Sequence, residues 1–272
     1  MTAIISWLNM EDWNNPSIWT IWDTMISKNG GALTLLWNKI LELPIKCKDI
    51  TTLPQEYYFS WTIWFAYAGS TLIGMNVYTF LVKILSNLGW FKSSNHLPDA
   101  LSICKKAEEI LKIYIESISD LAEIMIFGTC PKNNNPFICT IKARNSDTII
   151  DYKFTFKDKF SSSLEVMHIW SEYEEIIKMI DAKSDKNKKV PIKYWRTPKE
   201  VIEEIIKLEE YKNIGGWLEL IIANKFWINT FALCMPTQWM QPNAEMRLSN
   251  LNLWGDVGSK VWECYMAIPW MC

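Results

Sequence analysis

Residues 57–82 read YYFSWTIWFAYAGSTLIGMNVYTFLV, and none of them is charged. The stretch is long enough to cross a bilayer, which takes about 20 apolar residues. It is diluted by Ser60, Thr62, Ser70, Thr71, Asn76 and Thr79 and broken by Gly69 and Gly74. That dilution favours a buried helix pair, or one enclosed helix, over a membrane span. Built outward from such a centre, the chain is expected to be mainly α (α+β): a single helical domain with a small antiparallel β-hairpin around residues 137–158.

The flanking sequence falls into three blocks. Residues 1–92 and 214–272 are apolar and rich in tryptophan, whereas 93–213 carry most of the charge and only Trp170 and Trp195. The two apolar blocks are expected to pack together into one core within a single domain spanning 1–272, with the charged middle projecting from it.

Helix signals recur along the chain. Asn15-Pro16 suits an N-cap followed by proline at the first helical position, with Ile18, Trp19, Trp22, Met25 and Ile26 behind it. A second helix fits Ala32 to Leu43, stopped by Pro44. Pro98-Asp99 opens a long helix striped by Leu101, Cys104, Ala107, Leu111, Tyr114, Ile118 and Leu121 and ended by Gly128. Ser162 with Glu165, and Thr197-Pro198-Lys199-Glu200, resemble capping boxes. Trp217 to Leu233 reads as a buried helix, and Asp256 to Met266 as a final one. The clearest β pattern is Phe137 to Ala143, a turn at Arg144-Asn145-Ser146-Asp147, then Ile150, Tyr152, Phe154 and Phe156 alternating with polar residues.

Composition narrows the function classes. Net charge is −2 and the pI about 5.8, which argues against coating nucleic acid along the whole chain. The seven cysteines are an odd number with no C-x-x-C pair, no N-x-[ST] sequon occurs, and the opening Met1-Thr2-Ala3-Ile4-Ile5 lacks a basic leader. Reduced thiols in an intracellular compartment, cytoplasmic or nuclear, are expected. Sixteen tryptophans serve either core packing or aromatic contact with a partner.

Catalytic signatures are sparse. Only His96 and His168 are present, without a Gly-x-Ser-x-Gly elbow, and no phosphate-cradling glycine loop or zinc-ligand spacing occurs. Cys130 and Cys139 flank one loop, but two thiols alone do not make a tetrahedral site. No cofactor, metal or small-molecule ligand is implied. Asp151-Tyr152-Lys153 resembles the carboxylate-x-lysine end of a restriction-nuclease-type metal site, in which the acid holds Mg²⁺ and the lysine orients water. The resemblance implies Asp147, Asp151 and Lys153 as site residues; the plainer reading is a solvated strand face.

One basic segment stands out. Lys183, Lys186, Lys188, Lys189, Lys193, Arg196 and Lys199 interleave with Tyr194 and Trp195. Cations that meet phosphates beside aromatics that stack on bases would bind single-stranded nucleic acid. Alternatively the segment is a solvated linker between acidic helices. The function expected from the sequence is therefore non-enzymatic: a structural or assembly protein, self-associating or binding a protein partner through tryptophan, with a viral style of composition. Nucleic-acid (RNA) binding through 183–199 and metal-dependent cleavage at Asp151/Lys153 stand as alternatives.

Overall fold

In a computed structural model the described residues are 4–28, 31–35, 37–92, 96–146, 149–169, 174–208, 211, 214–226, 228–235, 245–248, 251–252, 260–261, 264–265 and 270–271. The chain forms two compact units, one from residues 1–39 with 171–272 and the other from residues 40–170. Among the described residues there are two main sheets and four helices, with about 38% strand, so the expected single helical domain is replaced by an α+β architecture.

The first unit opens with β1 (Ile4–Asn9) and β2 (Ser17–Asp23), antiparallel from Ile4 opposite Trp22 to Asn9 opposite Ser17. A short hairpin, β3 (Ile26–Lys28) with β4 (Gly31–Thr34), follows. The helix expected after Asn15-Pro16 is therefore a strand. From Ile18 to Asp23 β2 is buried on both faces, so its apolar residues run together and carry neither the helical nor the two-residue period.

The second unit begins with β5 (Ile40–Asp49) and β6 (Tyr57–Gly69), then α1 (Thr71–Leu85), β7 (Leu88–Trp90) and α2 (Ala100–Ile118). It continues with β8 (Ala122–Thr129), β9 (Pro136–Ser146), β10 (Ile149–Lys157) and β11 (Val166–Ile169). Its curled sheet runs β10-β9-β8-β6-β5-β7. The uncharged stretch 57–82 is thus a strand joined to a helix. Tyr57 to Ile63 is dense in aromatic and β-branched side chains that suit a pleated surface. Gly69, at φ 88, turns the chain before Ser70, which stands at the N-terminal boundary of α1 without a side-chain cap bond. Gly74 lets α1 lie against Tyr67, since a Cβ there would sit 2.4 Å from the ring. Pro44, read as a helix stop, lies inside β5, where β7 pairs only with residues 47–49 and leaves that edge open at the proline.

One face of this sheet carries the core. Ile63, Phe65, Ile124, Ile126, Cys139 and Ile141 meet Ile73, Val77 and Leu81 of α1 and Ile103, Cys104, Ala107 and Leu111 of α2. Helix α2 starts at the expected Asp99 but ends at Ser119, left-handed at φ 57, rather than at Gly128, which lies in β8. The expected hairpin is present, with Phe154 opposite Ile141 and Asp151 opposite Arg144.

The chain then returns to the first unit through α3 (Glu174–Asn187), α4 (Pro191–Leu208), β12 (Leu218–Ala223), β13 (Ile228–Met235), β14 (Glu245–Leu248), β15 (Leu251–Asn252), β16 (Lys260–Val261), β17 (Cys264–Tyr265) and β18 (Trp270–Met271). The sheet here runs β1-β2-β12-β13-β14-β15, with β18 parallel to β13. The helix expected over Trp217 to Leu233 is the β12–β13 hairpin; the Asn224 side chain accepts from the Phe226 N–H at its turn. The expected helix from Asp256 lies largely outside the described residues, and its described part contains β16 and β17. The Ser162–Glu165 box precedes β11, not a helix. Thr197-Pro198 falls inside α4, where the Thr197 hydroxyl donates to the Lys193 carbonyl and the Trp7 indole donates to the Trp195 carbonyl. Pro198 has no N–H for the Tyr194 carbonyl, and these two bonds go to the carbonyls on either side of it.

Candidate active site around Lys39 and Asp23

Lys39 and Asp23 are the least expected charges in the first unit. Lys39 is 1% exposed and Asp23 0%, with the ammonium Nζ donating to Asp23 Oδ1 at 2.9 Å. Asp23 ends β2 and lies opposite Leu218 of β12. Its second oxygen, Oδ2, accepts the Gly215 backbone N–H at 3.2 Å. Glu219, one residue along β12 and also buried, adds a second carboxyl whose charge acts on Lys39.

The backbone around the pair is tightly held. Thr24 N–H donates to the Trp217 carbonyl at 3.0 Å, and Trp217 N–H donates to the Thr24 hydroxyl at 2.9 Å. Trp37 N–H donates to the Thr24 carbonyl at 3.1 Å. Gly216, at φ 79, passes so close that a Cβ would stand 2.6 Å from Thr24 Oγ1. Burial pushes the Lys39 pKa down, and the charge and hydrogen bond of Asp23, with the charge of Glu219, oppose that shift without cancelling it. A lysine held in this state gives up its proton more readily than one in water, which is what a base or an activator of a hydroxyl requires.

The second unit presents a different electrostatic pattern. On β9 and β10, Lys142 lies directly opposite Lys153, and Arg144 opposite Asp151. Glu123 of β8 is buried, and its charge acts on Lys142. His168 of β11 has its pKa lowered to about 4, by burial first and then by the charges of Lys142, Arg144 and Lys153. Asp151 and Lys153, the nuclease-like pair, are exposed on β10, and Asp147 lies outside the described residues. The positions facing that pair on β9 are both cationic.

The basic segment is two helices rather than a linker. Lys186, Lys188, Lys189 and Lys193 are exposed around the turn from α3 to α4. Lys188 pairs with Asp185 at 2.6 Å. Arg196 donates to both oxygens of Glu11, at 2.8 and 2.9 Å, and Lys199 pairs with Glu203 at 2.8 Å. Tyr194 is half-buried against Trp195, which is 3% exposed. Of the other tryptophans, Trp7, Trp19, Trp22, Trp64 and Trp217 are core residues, while Trp13 and Trp90 are exposed.

Among the described residues no three histidine, cysteine or carboxylate side chains are placed to hold a metal ion. Cys47, Cys104, Cys130 and Cys139 are buried and unbridged. No described helix is long and apolar enough to cross a membrane.

The fold, more than the sequence, connects this chain to known proteins. No family model and no curated relative matches it. Among solved structures it is similar to a Gly-1 mutant of Anbu from Hyphomicrobium sp. strain MC1, with a TM-score of 0.55 and 9% identity over 84% of this chain and 85% of that one. It is also similar to Anbu from Yersinia bercovieri, described as an ancestral beta-subunit, with a TM-score of 0.51 and 9% identity over 81% of each chain. At that identity the likeness is one of fold. The strand content overturns the α-helical reading of the composition, and nothing in these neighbours supports the viral one.

Proposed function

We propose that this chain is a hydrolase of the acyl-transfer class whose proton-handling centre is the buried Lys39–Asp23 pair, and that it works as a subunit of a self-associated assembly. The observation that carries the first part is the ammonium of Lys39, removed from water and held 2.9 Å from one carboxylate oxygen. Burying such a pair is costly, and well-packed apolar residues often do as well for stability. A buried, pKa-shifted lysine is therefore a candidate functional group. Lysine serves hydroxyl nucleophiles as the base that takes the proton or as the charge that stabilises the alkoxide. The assembly part is supported by the fold neighbour described as a beta-subunit and by the exposed aromatic side chains Trp13, Trp90, Phe91 and Phe226.

An acylating probe tests the chemistry. Wild-type protein incubated with a β-lactone should gain one covalent adduct by intact mass, and peptide mapping then names the hydroxyl. Thr24 adjoins Asp23, and Thr2 precedes β1 and lies outside the described residues; the same spectrum shows whether Met1 is retained. A threonine bearing a free α-amine would carry its own base. Lys39→Ala alone strands a buried carboxylate, at about 3–5 kcal/mol. The informative variant is therefore Lys39→Met with Asp23→Asn, which removes both charges at similar volume. It should fold and lose labelling. Undiminished labelling of that folded double variant, or no labelling of wild type, rejects the hydrolase reading.

A further inference from the structure

The cations on β9 and β10 have no use in the site above. Lys142, Arg144 and Lys153 share one face of the sheet, and Lys142 and Lys153 are direct cross-strand partners. Like charges placed opposite each other destabilise a sheet. Several cations elsewhere in the chain have carboxylate partners, among them Lys39 with Asp23, Lys112 with Glu108, Lys183 with Glu200 and Glu204, and Arg196 with Glu11. Among the described residues none of Lys142, Arg144 and Lys153 forms an ion pair, although Glu123 and Asp151 stand on the same face.

We infer that Lys142, Arg144 and Lys153 form a binding site for a phosphate-bearing ligand, on the open face of β9 and β10. Three neighbouring cations on one face of the hairpin ask for a multivalent anion. Phosphate supplies close to two charges and three acceptor oxygens, whereas a carboxylate supplies one charge and two oxygens. Arg144 and Lys153 are solvent-exposed and Lys142 is half-buried, so an incoming anion meets accessible donors above a partly desolvated one. Desolvation strengthens that last contact. His168 is a built-in reporter. Its imidazole is kept neutral partly by these same three cations, so an anion among them must raise its pKa.

The chain has two histidines, so His168 can be followed by proton–carbon NMR and assigned with His168→Gln. Titration is run with inorganic pyrophosphate, with a short single-stranded oligonucleotide, and with sodium chloride at matched ionic strength. Pyrophosphate should raise the His168 pKa from about 4 by about one unit or more, and chloride should not. Arg144→Gln with Lys153→Gln, both exposed strand positions, should weaken pyrophosphate binding about tenfold or more. His168→Gln should bind as wild type does in calorimetry. An equal response to chloride and pyrophosphate, or undiminished affinity in the double variant, overturns the site. A response to the oligonucleotide alone overturns a small-anion site in favour of a nucleic-acid backbone.

Discussion

An ordinary histidine takes up a proton near pH 6.5, but His168 resists it down to about pH 4. The unfolded chain therefore binds that proton first as the pH falls. Stability from this group is complete above pH 6.5 and is lost as the pH drops towards 4. One proton sets the steepest slope at about 1.4 kcal/mol per pH unit, and partial exposure of the ring lowers it through screening. Urea denaturation at pH 7 and pH 5 should show wild type losing more stability than His168→Gln; equal losses would mean that the ring titrates normally. The groups at the candidate active site left a fainter mark in the sequence. Asp23, Lys39 and Glu219 each stand as a lone charge amid apolar neighbours. A lone charge in an apolar run is the signal of a buried pair, but sequence cannot say which lone acid meets which lone base, because β2 and β12 are brought together only by the sheet.

Among the elements, α2 and the β9–β10 hairpin were readable because each has one wet face. Alternation from Ile150 to Phe156 survives since Asp151, Lys153 and Thr155 are exposed. In α2 the buried set is Ala100, Ile103, Cys104, Ala107, Ile110, Leu111 and Ile115, while Leu101 and Ile113 face outward, so the stripe lies slightly rotated from the one expected. Its start is fixed by Asp99, whose carboxylate accepts from Ser102 N–H at 2.9 Å. Burial opposes ionisation of Asp99, but the two bonds from Ser102 prevail and hold its pKa low. Asp99→Ala should cost about 1 kcal/mol, read as a lower urea midpoint with unchanged slope; no change would remove the cap from the account. Strands β2 and β12 and residues 63–68 of β6 were unreadable for a shared reason. In the middle of a sheet covered on both faces, no residue is spared for water, and the resulting apolar runs look alike whether helix or strand. Tryptophan and isoleucine in β2 and the Ile221-Ile222 pair in β12 tilt towards strand, a preference that local helix starts such as Asn15-Pro16 outweighed.

At the scale of the whole molecule, the assembly reading predicts a mass in solution above 31.9 kDa that holds or grows as concentration rises. A constant monomer mass at high concentration would reject it. Trp13→Ser with Trp90→Ser should shift the balance towards monomer if those exposed rings lie in the contact. Chain order adds a constraint of another kind. The first unit is closed by pairing of Ile21 with Leu220, about 200 residues apart, and the second unit lies entirely between those two strands. On a ribosome adding about 5–20 residues per second, β1 and β2 emerge roughly 10–40 seconds before the strand that completes their sheet. Throughout that interval Ile18, Trp19, Ile21 and Trp22 of β2 lack their native partner strand β12, and the whole of the second unit is synthesised in the meantime. The first hairpin therefore waits for its partner strand, and translation speed across residues 40–217 sets how long that wait lasts.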